Sequence, residues 1–345
     1  MTTTERESPD AGESSADVLL HMIHGFQISQ MIYVAANLGI ADLLADGPRS
    51  SSELAQATGT HAPSLYRLLR TLASLGIFAE DEQGRFGLTA LARPLQRGVP
   101  DSVHTIAVFN GDPYFWRAWG DLLHSVTTGE PAVEHLYGMK SWEYRAQNPD
   151  LNALMNNFFT QVSKEDNPAI VTAYDFSGIS TLVDVAGGQG SLIAAILNAN
   201  PTIHGILFDQ PHVIPGAQPV LEAAGVSGRC ELIAGDLFAS LPASGDAYLL
   251  KSIVHDWSDD QAVAILSNCR RAMKQEGKLL VVESVIPPGN SPHPGKFVDM
   301  NMLVAETGRE RTEDEFKALF TRSGFTMTKI FPTQSRFSVI EAAPN

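Results

Sequence analysis

The segment that most constrains this chain runs from Leu182 to Gly190, where an apolar stretch carrying Asp184 passes into a glycine-rich loop. The residues that follow, from Ser191 to Leu197, are apolar and rich in helix formers. A strand, a tight glycine turn and a helix form the opening unit of a nucleotide-binding α/β sheet. Glycine lets a ligand approach the backbone and permits positive φ, and the N–H groups at the helix start then face the loop.

The spacing of the glycines narrows the class of ligand. A dinucleotide site has a third glycine, where this chain has Ile193, and a phosphate loop has a Gly-Lys-Ser/Thr sequence that is absent here. The next apolar run, Thr202–Phe208, ends at Asp209, and a carboxylate there can bind both ribose hydroxyls of an adenosine. A nucleoside site without a pyrophosphate clamp is therefore described by Asp184, Gly187, Gly188, Gly190 and Asp209. S-adenosylmethionine is such a nucleoside, and its ammonium group would suit Asp184; a tight connection without a ligand is the alternative.

Composition sets limits on partners and location. The 345 residues are enough for two domains, and a formal net charge of −15 disfavours binding to nucleic acid. Cys230 and Cys269 lie far apart, so no disulfide framework or zinc site is expected, and two free thiols predict a cytoplasmic protein. We expect no secretion signal, no apolar stretch long enough to span a bilayer, and a disordered tail over residues 1–16.

An N-terminal domain is predicted over residues 17–100. Residues 17–44 form a helical pattern that is apolar on more than one face, which indicates either a dimerisation surface or an internal helix. Residues 50–97 follow the order helix, turn, helix and hairpin, which is typical of a winged helix. Arg67 and Arg70 on the second helix would favour DNA binding, but the acids from Glu80 to Glu82 and the net charge favour a dimerisation or lid module.

Residues 101–170 are predicted to be helical and are strongly aromatic. Met155, Phe158 and Phe159 lie on a helix that leads towards the nucleotide-binding part of the chain. A flat apolar ligand would suit such a wall, although aromatic residues at helical spacing are also typical of an ordinary core. Both interpretations of these three side chains remain open.

Residues 171–345 alternate between strand and helix patterns. Seven short strands with intervening helices predict a doubly wound, Rossmann-like α/β sheet, and the last two strands predict an antiparallel end. Asp236 closes the third strand, where it could bind a polar edge of the nucleoside while Leu237 and Phe238 pack on the adenine ring. A turn or capping role for Asp236 fits equally well.

His255 follows the fourth strand, at the sheet edge where ligands bind in such folds. Glu283 ends the next strand and Glu310 precedes the following helix. A histidine flanked by acids gains basicity and a fixed tautomer. Ser258 and Gln261 form a capping box, so Asp259 and Asp260 are interpreted as first-turn partners of the helix dipole.

Together these motifs resemble the plant caffeate-type and bacterial secondary-metabolite family of S-adenosylmethionine-dependent O-methyltransferases. The similarity extends over residues 20–341 and rests on five segments: 182–190, Phe208-Asp209-Gln210-Pro211, 235–238, His255-Asp256-Trp257-Ser258-Asp259 and Gly308-Arg309-Glu310-Arg311-Thr312. The resemblance implies that Asp209, Asp236 and Lys251 hold the cofactor, with Gln210 beside them. It also implies that His255 is the base between Glu283 and Glu310, and that the N-terminal domain builds a homodimer and binds no DNA.

The chemistry expected is methyl transfer to a hydroxyl, phenolic in type, of an aromatic small molecule. Because a free phenol has a pKa of about 10 and a free histidine about 6.5, we expect His255 to take the proton while the methyl moves. The acceptor pocket is expected to be formed by Met155, Phe158, Phe159, Asp256, Trp257, Asn301 and Met302. No metal is expected. The alternatives are a relative that uses the cofactor for hydroxylation, decarboxylation or C- or N-methylation, and a winged-helix DNA-binding regulator. Ala186 stands where plant members usually have glycine.

Overall fold

A computed structural model describes residues 14–345, apart from the side chains of residues 164 and 165. The predicted disordered tail falls largely outside this range, and the first helix already begins at Ser15. The chain divides into two compact units, with the boundary between Arg117 and Ala118. The predicted helical segment 101–170 is therefore shared, its first part belonging to the N-terminal unit and the rest to the C-terminal unit.

The N-terminal unit is mainly helical and has a small three-stranded sheet of order β1-β3-β2. Its core is made of apolar side chains such as Leu65, Leu69 and Leu72, which recur on one face of α4. Its elements are α1 (Ser15–Asn37), α2 (Ile40–Leu43), β1 (Arg49–Ser50), α3 (Ser51–Thr58), α4 (Ala62–Ser74), β2 (Phe78–Glu80), β3 (Arg85–Leu88) and α5 (His104–Gly111), with α6 (Pro113–Gly120) spanning the boundary. Residues 50–97 thus follow the predicted order of helix, helix and hairpin.

Helix α1 presents an apolar face that the N-terminal unit leaves uncovered. Leu19, Leu20, Met22, Ile23 and Phe26 are between 48% and 67% exposed. The helix has 23 residues and a window of mean hydropathy 1.2, so by length and composition it could cross a membrane, and the expectation that no stretch is long enough was wrong. Single polar residues interrupt the apolar ones, so no long uninterrupted apolar stretch is visible, but the many Leu, Ile, Val and Met side chains keep the average hydropathy high and Asp17 is the one charged residue of the helix. Such a face requires a covering surface.

The C-terminal unit confirms the predicted doubly wound sheet. Its seven strands have the order β6-β5-β4-β7-β8-β10-β9, in which β10 pairs antiparallel with both β8 and β9 and the other pairings are parallel. The strands are β4 (Thr181–Val185), β5 (His204–Asp209), β6 (Cys230–Ala234), β7 (Ala247–Lys251), β8 (Lys278–Glu283), β9 (Phe325–Pro332) and β10 (Ser338–Pro344). The strand order reverses between β4 and β7, which is where ligands bind in open α/β sheets.

The C-terminal unit also contains several helices. They are α7 (Leu122–Thr128), α8 (Ala132–Tyr137), α9 (Ser141–Gln147), α10 (Pro149–Ala173), α11 (Ser191–Ala199), α12 (Ala217–Ala223), α13 (Asp259–Ala272), α14 (Gly295–Ala305) and α15 (Glu313–Arg322). Strands and helices pack together in two separate apolar cores. One core contains Leu192 and Leu197 of α11, and the other contains Leu266 of α13 and Phe320 of α15. Helix α14 was not predicted from the sequence.

Candidate active site

The glycine loop after β4 is shaped by its backbone. Ala186, Gly188 and Gly190 all have positive φ, at 55°, 61° and 78°. A Cβ on Gly187 would lie 2.4 Å from Asp184 Oδ2 and 2.5 Å from Leu207 Cδ1, so only glycine fits there. The loop therefore runs close to the end of β4 before it enters α11.

Asp209, at the end of β5, holds this loop in place. Its Oδ2 accepts a hydrogen bond from the Gly188 N–H at 2.8 Å, and its Oδ1 accepts one from the Gln210 N–H at 2.6 Å. Burial raises the pKa of Asp209, although both N–H groups favour the ionised form. The acid that was predicted to bind the ribose thus lies against the glycine loop.

Asp184 is fully buried beside the same loop. Burial first, and the charge of Asp209 second, raise the pKa of Asp184 to about 7. Its Oδ2 has no hydrogen-bond partner in the part of the chain that the structure describes. A buried carboxylate oxygen without a donor is costly, and a cationic ligand would supply the missing partner. These residues therefore fit an adenosine carrier with a positively charged end.

Lys251, the last residue of β7, is bound to α10. Its Nζ donates to Asn167 Oδ1 at 2.9 Å and to Ser163 Oγ at 3.2 Å, and Asn167 Nδ2 donates to Ser191 Oγ at 3.1 Å. Burial lowers the pKa of Lys251. This network connects the end of β7 to the start of α11. Sequence reasoning missed Ser163 and Asn167, because no motif marks them.

Asp236, Leu237 and Phe238 follow β6 at the same edge of the sheet. The Asp236 carboxylate accepts the Phe238 N–H at 2.9 Å, so it does shape a turn, as the alternative interpretation proposed. The Phe238 ring meets Trp257 edge to face, with 4.8 Å between their centroids. The structure thus brings a residue predicted for the adenine into contact with one predicted for the acceptor.

His255 lies in a short 3₁₀ turn after β7 and is surrounded by acids. Its Nδ1 lies 2.7 Å from Glu310 Oε1 and 3.5 Å from Glu283 Oε2, and its Nε2 lies 3.4 Å from Asp256 Oδ1. Glu283 Oε1 also accepts the backbone N–H groups of Ile253 and His255, at 3.0 and 3.3 Å. The structure therefore assembles all three predicted catalytic residues, and it adds Asp256 on the opposite ring nitrogen.

The electrostatics of this cluster favour bound protons. Burial by itself favours the neutral imidazole, but the charges of Glu283, Asp256 and Glu310 outweigh it and raise the pKa of His255 to about 10. Burial also raises the pKa of Glu283, although the His255 charge favours its ionised form. Burial and Asp256 raise the pKa of Glu306, at the end of α14, to about 7. The cluster therefore retains protons that isolated side chains would lose at neutral pH.

The loop before α15 supports the turn that carries His255. Arg311 is almost fully buried and donates to the carbonyls of Val254 and Trp257, each at 3.0 Å, and to Asp259 Oδ1 at 2.8 and 3.1 Å. A Cβ on Gly308 would lie 1.8 Å from the carbonyl oxygen of His255. Asp259 therefore pairs with Arg311 in addition to lying in the first turn of α13. The capping box of Ser258 and Gln261 did not predict this pairing.

The residues predicted for the acceptor pocket are only partly gathered. Met155 is buried, and its Sδ contacts Arg145 Nη1 at 3.7 Å. Burial raises the pKa of Asp256, and the positive charge of Arg145 partly offsets that rise because it favours the ionised carboxylate. Phe158 and Phe159 pack edge to face at 5.5 Å, and Phe159 is 47% exposed. On α14, Met302 is half-buried and Asn301 accepts a hydrogen bond from Trp119 Nε1 at 3.1 Å.

Comparison with known proteins identifies the family. Residues 20–97 match the O-methyltransferase dimerisation domain, and residues 119–326 match the O-methyltransferase domain. The phenazine O-methyltransferase PhzM of Lysobacter antibioticus is 47% identical, over 95% of this chain and 96% of its own. The 8-amino-8-demethylriboflavin N,N-dimethyltransferase of Streptomyces davaonensis is 34% identical, over 91% of both chains.

A solved structure supports the same assignment. The O-methyltransferase NcsB1 from neocarzinostatin biosynthesis, in complex with S-adenosylmethionine and 2-hydroxy-5-methyl naphthoic acid, is similar with a TM-score of 0.83 and 33% identity. The similarity covers 92% of this chain and 96% of that one. The chain therefore belongs to the S-adenosylmethionine-dependent O-methyltransferase family, with an N-terminal dimerisation domain and a C-terminal methyltransferase domain.

Proposed function

We propose that this protein transfers the methyl group of S-adenosylmethionine to a phenolic hydroxyl of an aromatic secondary metabolite, with His255 as the base. The observation that carries the proposal is the 2.7 Å contact between His255 Nδ1 and Glu310. A carboxylate on Nδ1 fixes the proton on that nitrogen, so Nε2 is the nitrogen that would exchange a proton with the acceptor. The names of the relatives point to aromatic acceptors, since phenazine and naphthoic acid rings occur among them.

The cofactor would be held at the switch point of the sheet. Asp209 and the glycine loop would hold the adenosine part with Gln210 nearby, Asp236, Leu237 and Phe238 would bind the adenine side, and Lys251 would support the site through α10. The unpaired Oδ2 of Asp184 supports its role towards a positively charged group. When bound, S-adenosylmethionine would supply a methyl group on a positively charged sulfur: a lone pair on oxygen or nitrogen bonds to the methyl carbon while the carbon–sulfur bond breaks, and the sulfur leaves as a neutral thioether.

The pKa of His255 changes how the proton transfer should be understood. A free histidine, with a pKa of about 6.5, would accept a phenolic proton only uphill, since phenols have a pKa of about 10. With its pKa raised to about 10, His255 matches a phenol, and the transfer is close to balanced. Phenolate beside protonated His255 contains the same number of protons as phenol beside neutral His255, so either pair can be the reacting state. Asp256, half-exposed and 3.4 Å from Nε2, offers the proton a route to solvent.

We propose that the reaction needs no metal. The ligand atoms of His255, Glu283 and Glu310 do lie within 4.8 Å of one another, as a metal site requires. One oxygen of each carboxylate is already engaged, however: Glu283 Oε1 accepts two backbone N–H groups and Glu310 Oε1 contacts His255 Nδ1, while the two Oε2 atoms have no hydrogen-bond partner among the described residues. Methyl transfer that persists after dialysis against a chelator supports this proposal, and activity restored only by added metal contradicts it.

The direct test of the base is His255→Ala, with the exposed His204→Ala at the far end of β5 as its control. Phenols would be screened for a methyl mass shift, and turnover of the best acceptor would be measured beside cofactor affinity. We expect His255→Ala to lose about 10²-fold or more in turnover and to keep cofactor affinity, with His204→Ala unchanged. Near-normal turnover in His255→Ala would remove His255 from the mechanism.

Methylation of an amine is the second candidate. It is favoured by the same rise in the pKa of His255, because a protonated imidazole is a poor base and a neutral amine already has a free lone pair. The riboflavin relative is named as an N,N-dimethyltransferase. If this candidate holds, anilines will be methylated by the wild type and by His255→Ala at similar rates, whereas phenols will not react.

Dimerisation and location complete the proposal. The exposed face of α1 lies in the range matched by the dimerisation domain, so we propose that a second copy covers it and that no membrane does. We place the protein in the cytoplasm because Cys230 and Cys269 are both buried free thiols. Nucleic acid is not proposed as a partner, given the acidic chain.

A further inference from the structure

A second group of metal-ligating side chains lies in the C-terminal unit, around α7 and α8. Asp121 precedes α7, His124 lies one turn later, Glu130 follows the helix, and His135 lies in α8. The two imidazole rings are stacked, with centroids 3.8 Å apart and planes 7° apart. His135 Nδ1 lies 2.7 Å from Asp121 Oδ2, and His124 Nε2 lies 3.8 Å from Glu130 Oε2. None of the proposed catalytic or cofactor residues belongs to this group.

We propose that Asp121, His124 and His135 bind one divalent transition-metal ion of the zinc, cobalt or nickel class. Imidazole and carboxylate ligands suit these ions. The three ligand atoms lie within 4.8 Å of one another. Two ligand atoms that are each about 2.1 Å from one zinc ion are at most about 4.2 Å apart. The ligand atoms would therefore have to approach one another by less than about 1 Å. The two stacked rings would also have to tilt so that their nitrogen lone pairs converge, and the half-exposed His135 is the one that would move.

The buried Nε2 atom of His124 distinguishes this group from an ordinary pair of hydrogen-bonded side chains. Its Nε2 is shielded from solvent and has no hydrogen-bond partner among residues 14–345 as the structure describes them. Leaving a buried polar atom without a partner costs about 1–3 kcal/mol, which a metal ion would recover through the nitrogen lone pair. The carboxylates of Asp121 and Glu130 would balance the two positive charges of the ion. Glu130 is not one of the three grouped ligands, so its contribution would be its charge, with Oε2 3.8 Å from His124 Nε2.

The expected effect of the ion is structural. It would link α7 to α8, and both helices pack against α14, which carries Asn301 and Met302. The ion would therefore stiffen the helices behind part of the predicted acceptor wall without touching His255. Because the ion would bind the folded chain in preference to the unfolded chain, it should raise the thermal midpoint in a concentration-dependent manner.

Titration of the untagged, full-length protein with cobalt chloride tests the proposal. Binding would be followed by the visible absorption of Co²⁺ and by the thermal midpoint, with zinc as a competitor. We expect one saturable site. His124→Ala and His135→Ala should each weaken it by at least about 10-fold, and the exposed His204→Ala should leave it unchanged. Circular dichroism and cofactor affinity would show that each variant is folded.

Three results would overturn the site. One is the absence of saturable cobalt binding, and another is equal binding by the wild type and by the His124→Ala/His135→Ala double variant. The third is binding that is lost in Glu310→Gln but kept in His135→Ala, which would assign the metal to the His255 cluster. Methyl transfer is not part of this readout, so the proposal stands or falls independently of the proposed function.

Discussion

The glycine loop and the His255 cluster lie at the same edge of one sheet, but they are built differently. The loop owes its shape to backbone, with three residues at positive φ and one glycine that tolerates no Cβ. The His255 cluster is made of side chains from three segments, which follow β7, end β8 and precede α15. The backbone of the turn that carries His255 is held by hydrogen bonds from Arg311 and packs directly against Gly308.

This difference determines which changes each region should tolerate. A loop that presents backbone N–H groups can change many side chains, provided that its glycines remain. A cluster of buried charges depends on every partner, because removal of one leaves another buried and uncompensated. Cofactor affinity should therefore respond to backbone changes in the loop, and proton transfer should respond to single side chains around His255.

The largest effect is expected for Arg311→Met. This change would leave the carbonyls of Val254 and Trp257 without their Arg311 donor, and the carboxylate of Asp259 with Arg309 alone. We expect the free energy of unfolding to fall by about 3 kcal/mol, measured by urea unfolding. Arg309→Met is the matched control, because Arg309 also pairs with Asp259 but is exposed, and its loss should cost about 0–1 kcal/mol. Equal losses in the two variants would show that Arg311 does not support the turn.

The pair Gly308→Ala and Gly187→Ala separates the two regions by function. A Cβ at Gly308 would displace the carbonyl of His255, and a displacement of about 1 Å can cost about 10²-fold in rate. A Cβ at Gly187 would instead strike Asp184 and Leu207. We expect Gly308→Ala to lower kcat with little change in cofactor affinity, and Gly187→Ala mainly to weaken cofactor binding. The comparison fails if both variants change the same parameter.

The smallest effect concerns Ala186, which has a φ of 55°. A residue with a side chain pays about 1 kcal/mol or more in this conformation, and glycine does not. Ala186→Gly should therefore raise the free energy of unfolding by about 1 kcal/mol in the urea experiment. Ala194→Gly, within helix α11, is the control and should lower it by about the same amount or more. A loss of stability in Ala186→Gly would contradict the strain.

The sequence was sufficient to predict what is local. The strand, glycine turn and helix around Asp184, the acid after β5 and the antiparallel end of the sheet all follow from short patterns. His255, Glu283 and Glu310 could be grouped because parallel neighbouring strands end at the same edge. Lys251 pairing with Asn167, and Arg311 reaching Val254, could not be predicted, because each contact joins segments whose approach depends on the packing of whole helices. The length and apolar character of α1 were missed because hydropathy is an average over a window, and isolated polar residues interrupt the apolar run without bringing that average below 1.2.

The most direct test of the central claim is the pH dependence of kcat/KM in the wild type and in Glu310→Gln, with the same phenolic acceptor. Since a base must be deprotonated, a pKa of His255 raised to about 10 predicts activity that climbs through neutral pH towards that value. Glu310→Gln removes one of the charges that raise it, so its activity should level off at lower pH and at a lower maximum. The ratio of the two profiles cancels the ionisation of the acceptor. Profiles that differ only in height, or a wild-type profile that is flat, would contradict the role of His255 as a base tuned by Glu310.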